Sequence, residues 1–128
     1  MKPPVRVLLV GAAGRMGKTI VDLARRNPNI QIVAKCDLGD AIEPAMKDCD
    51  VVIDFSHADA VDEICRTALR HGKSLVIGTT GHSQEQRRMV EDAGFHGLVE
   101  VEVLSNRWAA CEIEDVLNTV VERFMTCC

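Results

Sequence analysis

Val5-Arg6-Val7-Leu8-Leu9-Val10, followed at once by Gly11-Ala12-Ala13-Gly14-Arg15-Met16-Gly17, decides the fold. An apolar run of strand length that ends in closely spaced glycines and passes into an amphipathic segment is the opening of a phosphate-holding strand–loop–helix unit. Glycine lets the backbone turn tightly and approach a pyrophosphate. The helix that follows offers free N–H groups and the positive end of its dipole. A glycine loop alone discriminates poorly. Asp37 strengthens it, because it ends the next apolar run twenty positions after Gly17. There a dinucleotide fold carries the carboxylate that holds the adenosine ribose hydroxyls.

Outward from this unit, strand and helix patterns alternate. The spacing predicts a helix over 15–26, with Met16, Ile20, Leu23 and Ala24 on one face and a break at Asn27-Pro28-Asn29. A second strand is expected over 30–36, then a connection over 38–48 broken by Pro44. Residues 50–55 read as a third strand, apolar after its first residue as a central parallel strand should be. A helix over 58–71 stops at Gly72, and 74–78 form a fourth strand. Ser83-Gln84-Glu85-Gln86 has the form of a capping box and opens a short helix closed by Gly94. Val99, Val101 and Val103 alternate with Glu100 and Glu102, which suits a fifth strand at an edge or with one uncovered face. A last amphipathic helix over 109–125 places Ile113, Val116, Leu117, Val120, Val121 and Phe124 in one stripe, for packing on the sheet or for a dimer contact.

Bulk properties bound the partners. A chain of 128 residues supports one domain with a core, and a net charge of −4 argues against a nucleic-acid or anionic-membrane surface. No apolar run reaches the ~18 residues of a membrane span, and Met1-Lys2-Pro3-Pro4 leads into a strand rather than a signal-peptide core, so a cytoplasmic location is expected. None of the six cysteines is spaced as C-x-x-C and no histidine pair has zinc spacing, so no metal site is expected.

In parallel α/β sheets, ligands bind beyond the carboxyl ends of the strands. The loop over 11–17 would hold the pyrophosphate, with Arg15 as an added cation, and Asp37 would take the ribose diol. The Asp37 charge opposes a 2′-phosphate, and Lys35 would partly offset it. Phe55-Ser56-His57 would flank adenine or diphosphate, and Gly78-Thr79-Thr80-Gly81 would meet the nicotinamide ribose. A competing reading takes Ala12 to Thr19 as a relaxed P-loop, with Lys18 and Thr19 serving phosphate and magnesium and Asp54 as a second carboxylate. It departs from the strict pattern at Ala12 and leaves Asp37 without a role. The absence of tyrosine excludes the tyrosine–lysine chemistry of short-chain dehydrogenases.

Taken together, Gly11-Ala12-Ala13-Gly14-Arg15-Met16-Gly17, Val51-Val52-Ile53-Asp54-Phe55-Ser56 and Val76-Ile77-Gly78-Thr79-Thr80-Gly81 closely resemble the amino-terminal half of dihydrodipicolinate reductase. That family reduces the cyclic precursor of diaminopimelate and lysine with NADH or NADPH. The resemblance implies a cofactor site made by Gly11, Ala12, Ala13, Gly14, Arg15, Met16, Asp37, Gly78, Thr79 and Thr80. The family's alanine-proline-asparagine-aromatic segment is met by Leu104-Ser105-Asn106-Arg107, where only Asn106 fits. The family's second domain carries a histidine pair, a lysine and a serine-glycine-threonine loop, and nothing in 93–128 matches them.

The expectation is a single Rossmann-type domain over 1–128: a doubly wound parallel sheet of about five strands with a C-terminal amphipathic helix. It would bind NADH or NADPH without appreciable turnover, with no catalytic residue of its own, no nucleic acid and no membrane. Self-association through the last helix or the strand-five edge would be open to it. The alternatives are a non-catalytic dinucleotide-binding or redox-sensing module and a P-loop nucleotide hydrolase.

Overall fold

The run Val5–Val10 becomes β1, the strand on which the others assemble. The computed structural model describes residues 3–37, 39–78, 84, 85, 88, 99, 100, 114, 117, 118 and 120–122. In chain order they form β1, helix α1 (Arg15–Arg25), β2 (Ile30–Cys36), a short helix α2 (Glu43–Met46), β3 (Val51–Asp54), a 3-10 turn (Ala58–Ala60) leading into α3 (Val61–Arg70), and β4 (Ser74–Ile77). Val99–Glu100, here β5, lies parallel beside Val76 and Ile77.

All pairings are parallel and the order is β2-β1-β3-β4-β5. The chain steps from β1 to β2 on one side and then crosses back over β1 to β3. The sense of winding therefore reverses at β1, and the crevice beyond its carboxyl end is where such sheets bind ligands. Among the described residues no strand lies outside β2, where the six-stranded dinucleotide arrangement has one. The segment joining β2 to β3 is used instead for α2.

Alternation along the strands divides the core into two layers. Val5, Val7 and Leu9 of β1, Val51 and Ile53 of β3 and Val76 of β4 face one side, packed with Ile20 and Ala24 of α1 and with Leu117 and Val120. Leu8 and Val10, Val52, Leu75 and Ile77 face the other, packed with Met46 of α2 and Val61, Ile64, Cys65 and Ala68 of α3. With both faces covered, β3 is buried throughout, which is why it reads as a near-continuous apolar run. Cys36, Cys49 and Cys65 belong to the second layer, where burial pushes their thiols up.

One irregularity sets the site. The β1–β2 register shifts between Val7, opposite Ile32, and Leu8, opposite Ala34, so Val33 is the extra residue of a bulge. The shift brings Cys36 level with Val10, and the Cys36 carbonyl accepts the Gly11 N–H at 2.8 Å. Asp37 is thereby delivered to the glycine loop.

Two local expectations are corrected. Pro44 does not break the 38–48 connection: it sits in the first turn of α2, where its missing N–H has no intrahelical partner to lose. The helix expected over 58–71 is divided into the 3-10 turn and α3, and ends where Gly72 takes φ +65°. Residues 84, 85 and 88 are helical, as are 114, 117, 118 and 120–122. The remainder of those expected helices, and of the strand expected at 99–103, lies outside the described residues. No helix among the described residues is long and apolar enough to cross a membrane.

At the opposite, amino-terminal edge of the sheet, Asp50 receives the Arg6 backbone N–H at 2.9 Å and its guanidinium at 2.9 Å. Burial disfavours the ionised carboxyl. The Arg6 hydrogen bonds and charge outweigh it, and the group titrates below its ordinary range. A depressed carboxylate contributes stability above its unfolded pKa and loses it as pH falls through the folded value. Asp50→Asn is therefore expected to lower stability at neutral pH. The deficit should shrink below about pH 4, as read by denaturant melts of both proteins across pH.

Candidate functional site

The loop leaving β1 is shaped by two glycines that admit no side chain. Gly11 has φ +88°, and a Cβ there would stand 2.5 Å from the Phe55 carbonyl oxygen. At Gly17, a Cβ would meet the Gly11 oxygen at 2.2 Å and Ala12 backbone atoms at 2.6 Å. The first glycine turns the chain beside β3; the third lets α1 lie directly on the loop. Gly14 differs. It is the N-cap of α1 in extended backbone (φ −74°, ψ 173°), and a Cβ would find only the Gly11 oxygen at an ordinary 3.5 Å. Packing leaves open space at the start of the helix. No side chain caps α1, so its first-turn N–H groups point toward that space.

Asp37 closes the loop from the side, its Oδ1 accepting the Ala13 N–H at 2.9 Å. The turn after it is held by a reciprocal pair: the Asp37 N–H donates to Asp40 Oδ2 at 2.8 Å, and the Asp40 N–H to the Asp37 carbonyl at 3.0 Å. On the other flank, β3 ends in the fully buried Asp54. Its Oδ1 accepts the Ser56 N–H at 2.9 Å and the Ser56 hydroxyl at 2.5 Å, fixing the turn that carries Phe55, Ser56 and His57.

Between these loops lies a cavity of about 950 Å³. Val10, Gly11, Ala13 and Gly14 form one wall, Phe55, Ser56 and His57 a second. Asp37, Gly39 and Asp40 line the end of β2, and Ile42, Asp59, Ala60, Glu63 and Ile64 extend the cavity between the start of α2 and α3. A glycine cradle under an uncapped helix suits a phosphate; the Asp37 carboxylate suits a diol; the Ile42–Ala60–Ile64 surface suits a flat apolar ring. The residues present thus fit a nucleotide.

Of the residues singled out in the sequence, Gly11, Ala13, Gly14, Asp37, Phe55, Ser56 and His57 come together at this cavity. Ala12 is buried, Met16 packs on the core, and neither lines it. Arg15 and Lys35 are exposed and also absent from the lining. Gly78 is used structurally, because a Cβ there would lie 2.3 Å from the Phe55 ring. That glycine seats the aromatic side chain that walls the cavity. Thr79, Thr80 and Asn106 lie outside the described residues. Asp40, Ile42, Asp59, Ala60, Glu63 and Ile64 were not anticipated. No local motif marks them, since only the crossing of the chain over β1 brings α2 and α3 to the glycine loop. His71, at the carboxyl end of α3, stands 3.4 Å from Glu43 Oε1 and ties α3 to α2. Among the described residues no three histidine, cysteine, aspartate or glutamate side chains converge as a metal site.

Comparison with known proteins agrees with this geometry. Residues 5–106 match the family described as dihydrodipicolinate reductase, N-terminus. A 4-hydroxy-tetrahydrodipicolinate reductase of Akkermansia muciniphila is 38% identical over 89 residues, covering 70% of this chain and 36% of that protein. One from Corynebacterium urealyticum is 39% identical over 100 residues, covering 74% and 40%. The structure of a dipicolinate-bound dihydrodipicolinate reductase from Paenisporosarcina sp. TG-14 superposes with a TM-score of 0.60 at 25% identity, covering 70% of this chain and 43% of that one. The chain thus spans less than half the length of these relatives, and the family model it matches describes their N-terminus. It belongs to the family of dihydrodipicolinate reductase N-terminal domains.

Proposed function

We propose that this chain binds NAD(H) or NADP(H) in the cavity beyond β1, as the nucleotide-binding part of a dihydrodipicolinate reductase. The carrying observation is the division of labour in the loop: Gly11 and Gly17 are demanded by packing, whereas the space beside Gly14 is left for a ligand. In this reading the Gly14 backbone and the first turn of α1 hold the pyrophosphate. Asp37, already oriented by the Ala13 N–H, accepts from the ribose hydroxyls. Phe55 and the Ile42–Ile64 surface enclose the adenine side. Gly78, Thr79, Thr80 and Asn106 are proposed to continue the site toward the nicotinamide. The bound cofactor would supply hydride to an unsaturated ring of the substrate. Groups that bind and protonate that substrate are not assigned to this chain, so residues 1–128 act as one cofactor-binding unit with little turnover. Contacts between copies through the last helix or strand five are part of the same proposal.

The P-loop alternative has less support. The positive φ falls at Gly11 rather than at Ala12, Lys18 is exposed and absent from the cavity, and the Thr19 hydroxyl donates to the Arg15 carbonyl at 3.0 Å. Titration of NADH and NADPH into the purified chain, with MgATP as competitor, tests the choice. Saturable binding that MgATP displaces poorly is expected. Asp37→Asn, which keeps an acceptor for the Ala13 N–H, should weaken it about tenfold or more by removing a charge-assisted bond. Tight MgATP binding with no dinucleotide binding would refute the proposal.

A further inference from the structure

The far wall of the cavity rests on a helix too short to hold itself. α2 has four residues and no side-chain cap, whereas helices in isolation need about 12–15 residues to persist in water. Its place is therefore set by what it leans on. Inside, Met46 is fully buried and shares the second core layer with Ile42 and with Ile64 and Ala68 of α3. A main-chain bond from the Met46 N–H to the Ile42 carbonyl, at 3.0 Å, links the two ends of the turn. Outside, Glu43 reaches the carboxyl end of α3: its Oε1 lies 3.5 Å from Arg70 Nη1 and 3.4 Å from His71 Nε2. Arg70 is itself propped on α3. Its Nη2 donates to the Thr67 hydroxyl at 3.4 Å, and that hydroxyl donates to the Glu63 carbonyl at 2.7 Å. Both ends of this chain of contacts adjoin the cavity, for Ile42 lines it beside Glu43, and Glu63 and Ile64 line it from α3.

Resting on the function proposed above, we propose that the Glu43–Arg70 pair is a clasp that fixes the spacing between Ile42 and Ile64. Glu43 is then a positioning residue for the adenine ring received there. Met46 anchors α2 in depth, but one buried side chain does not set the rotation of a four-residue helix about it. The Glu43 contact sets that rotation, at the residue adjoining the one that meets the ring. Glu43 itself does not line the cavity, so its effect passes through Ile42. Its carboxylate and the Arg70 guanidinium are both more than half exposed, so the pair adds little to global stability. Its effect is read in ligand affinity instead.

The test is calorimetric titration of NADH, and of 5′-AMP in competition with it, into the intact chain. It is repeated with Glu43→Lys, with Arg70→Glu and with the two changes combined. Each single change sets like charges face to face, and the exchanged pair restores the attraction, which closes a double-mutant cycle. Glu43→Lys should weaken NADH about fivefold and 5′-AMP by the same factor, because the loss lies in the adenine half. The exchanged pair should regain most of that affinity, and every melting temperature should stay within about 3 °C of wild type. Undiminished affinity in Glu43→Lys, or a loss that the exchange does not restore, would overturn the clasp while leaving dinucleotide binding intact. So would 5′-AMP that fails to compete or is unaffected, or a loss that merely follows a large fall in melting temperature. Failure of wild-type protein to bind either NADH or NADPH would instead overturn the function on which the inference rests.

Discussion

Gly17→Ala is expected to lower the melting temperature by about 10 °C or more, although helix propensity alone forecasts the opposite. Alanine is favoured over glycine within a helix by about 1 kcal/mol, and Gly17 lies in α1. The decisive fact is what the new methyl group meets. Gly11 oxygen at 2.2 Å and Ala12 Cα and oxygen at 2.6 Å are all backbone atoms, in a loop tied to β2 through the Cys36 carbonyl. Neither side can yield by a rotamer change, so α1 must lift from the loop and draw its own Ile20 and Ala24 out of the core they share with β1 and β3. Disruption of this kind costs roughly 3 kcal/mol or more, and each kcal/mol moves the melting temperature of a domain of this size by about 3–5 °C. Calorimetric or circular-dichroism melts read the result; a rise in melting temperature would show that the loop and helix are not in this contact.

Gly14→Asp is expected to have the reverse signature, with the fold kept and dinucleotide affinity reduced at least about a hundredfold. Aspartate is a good N-cap and its charge suits a helix N-terminus, so α1 should gain a few tenths of a kcal/mol. Gly14 already has extended backbone and room for a Cβ, so nothing in the packing opposes the change. The new carboxylate would occupy the space assigned to the pyrophosphate and repel it. Parallel melts and NADH titrations of Gly14→Asp and wild type separate the two effects. An undiminished affinity would place the ligand elsewhere.

This contrast between neighbouring glycines was not legible in the sequence, where Gly11, Gly14 and Gly17 look alike. Strand–loop–helix order and the Asp37 position could be read because they depend on local patterning and on a fixed spacing. The strand β3 was evident because a strand buried on both faces has an apolar run to show for it. The cavity's far wall was hidden for the opposite reason. Ile42, Ala60 and Ile64 read as ordinary apolar positions, and Asp40, Asp59 and Glu63 as solvated charges, until α2 and α3 are placed beside the loop. Gly78 illustrates a third case. Its place after a strand suggested ligand contact, yet the structure gives it the Phe55 ring to accommodate. The bulge at Val33 has no sequence signal either, since Ile30 to Cys36 reads as an uninterrupted strand, but it aligns Cys36 with Val10 and so brings Asp37 to the loop.

The most direct test of the cleft as the dinucleotide site is an amide NMR titration of the chain with NADH. Shifts are expected at Ala13, Gly14, Arg15 and Met16, at Asp37 and Asp40, and at Ser56 and His57, with Arg6, Asp50 and Lys73 at the opposite edge of the sheet unmoved. Shifts centred on that opposite edge, or none at saturating NADH, would contradict the account.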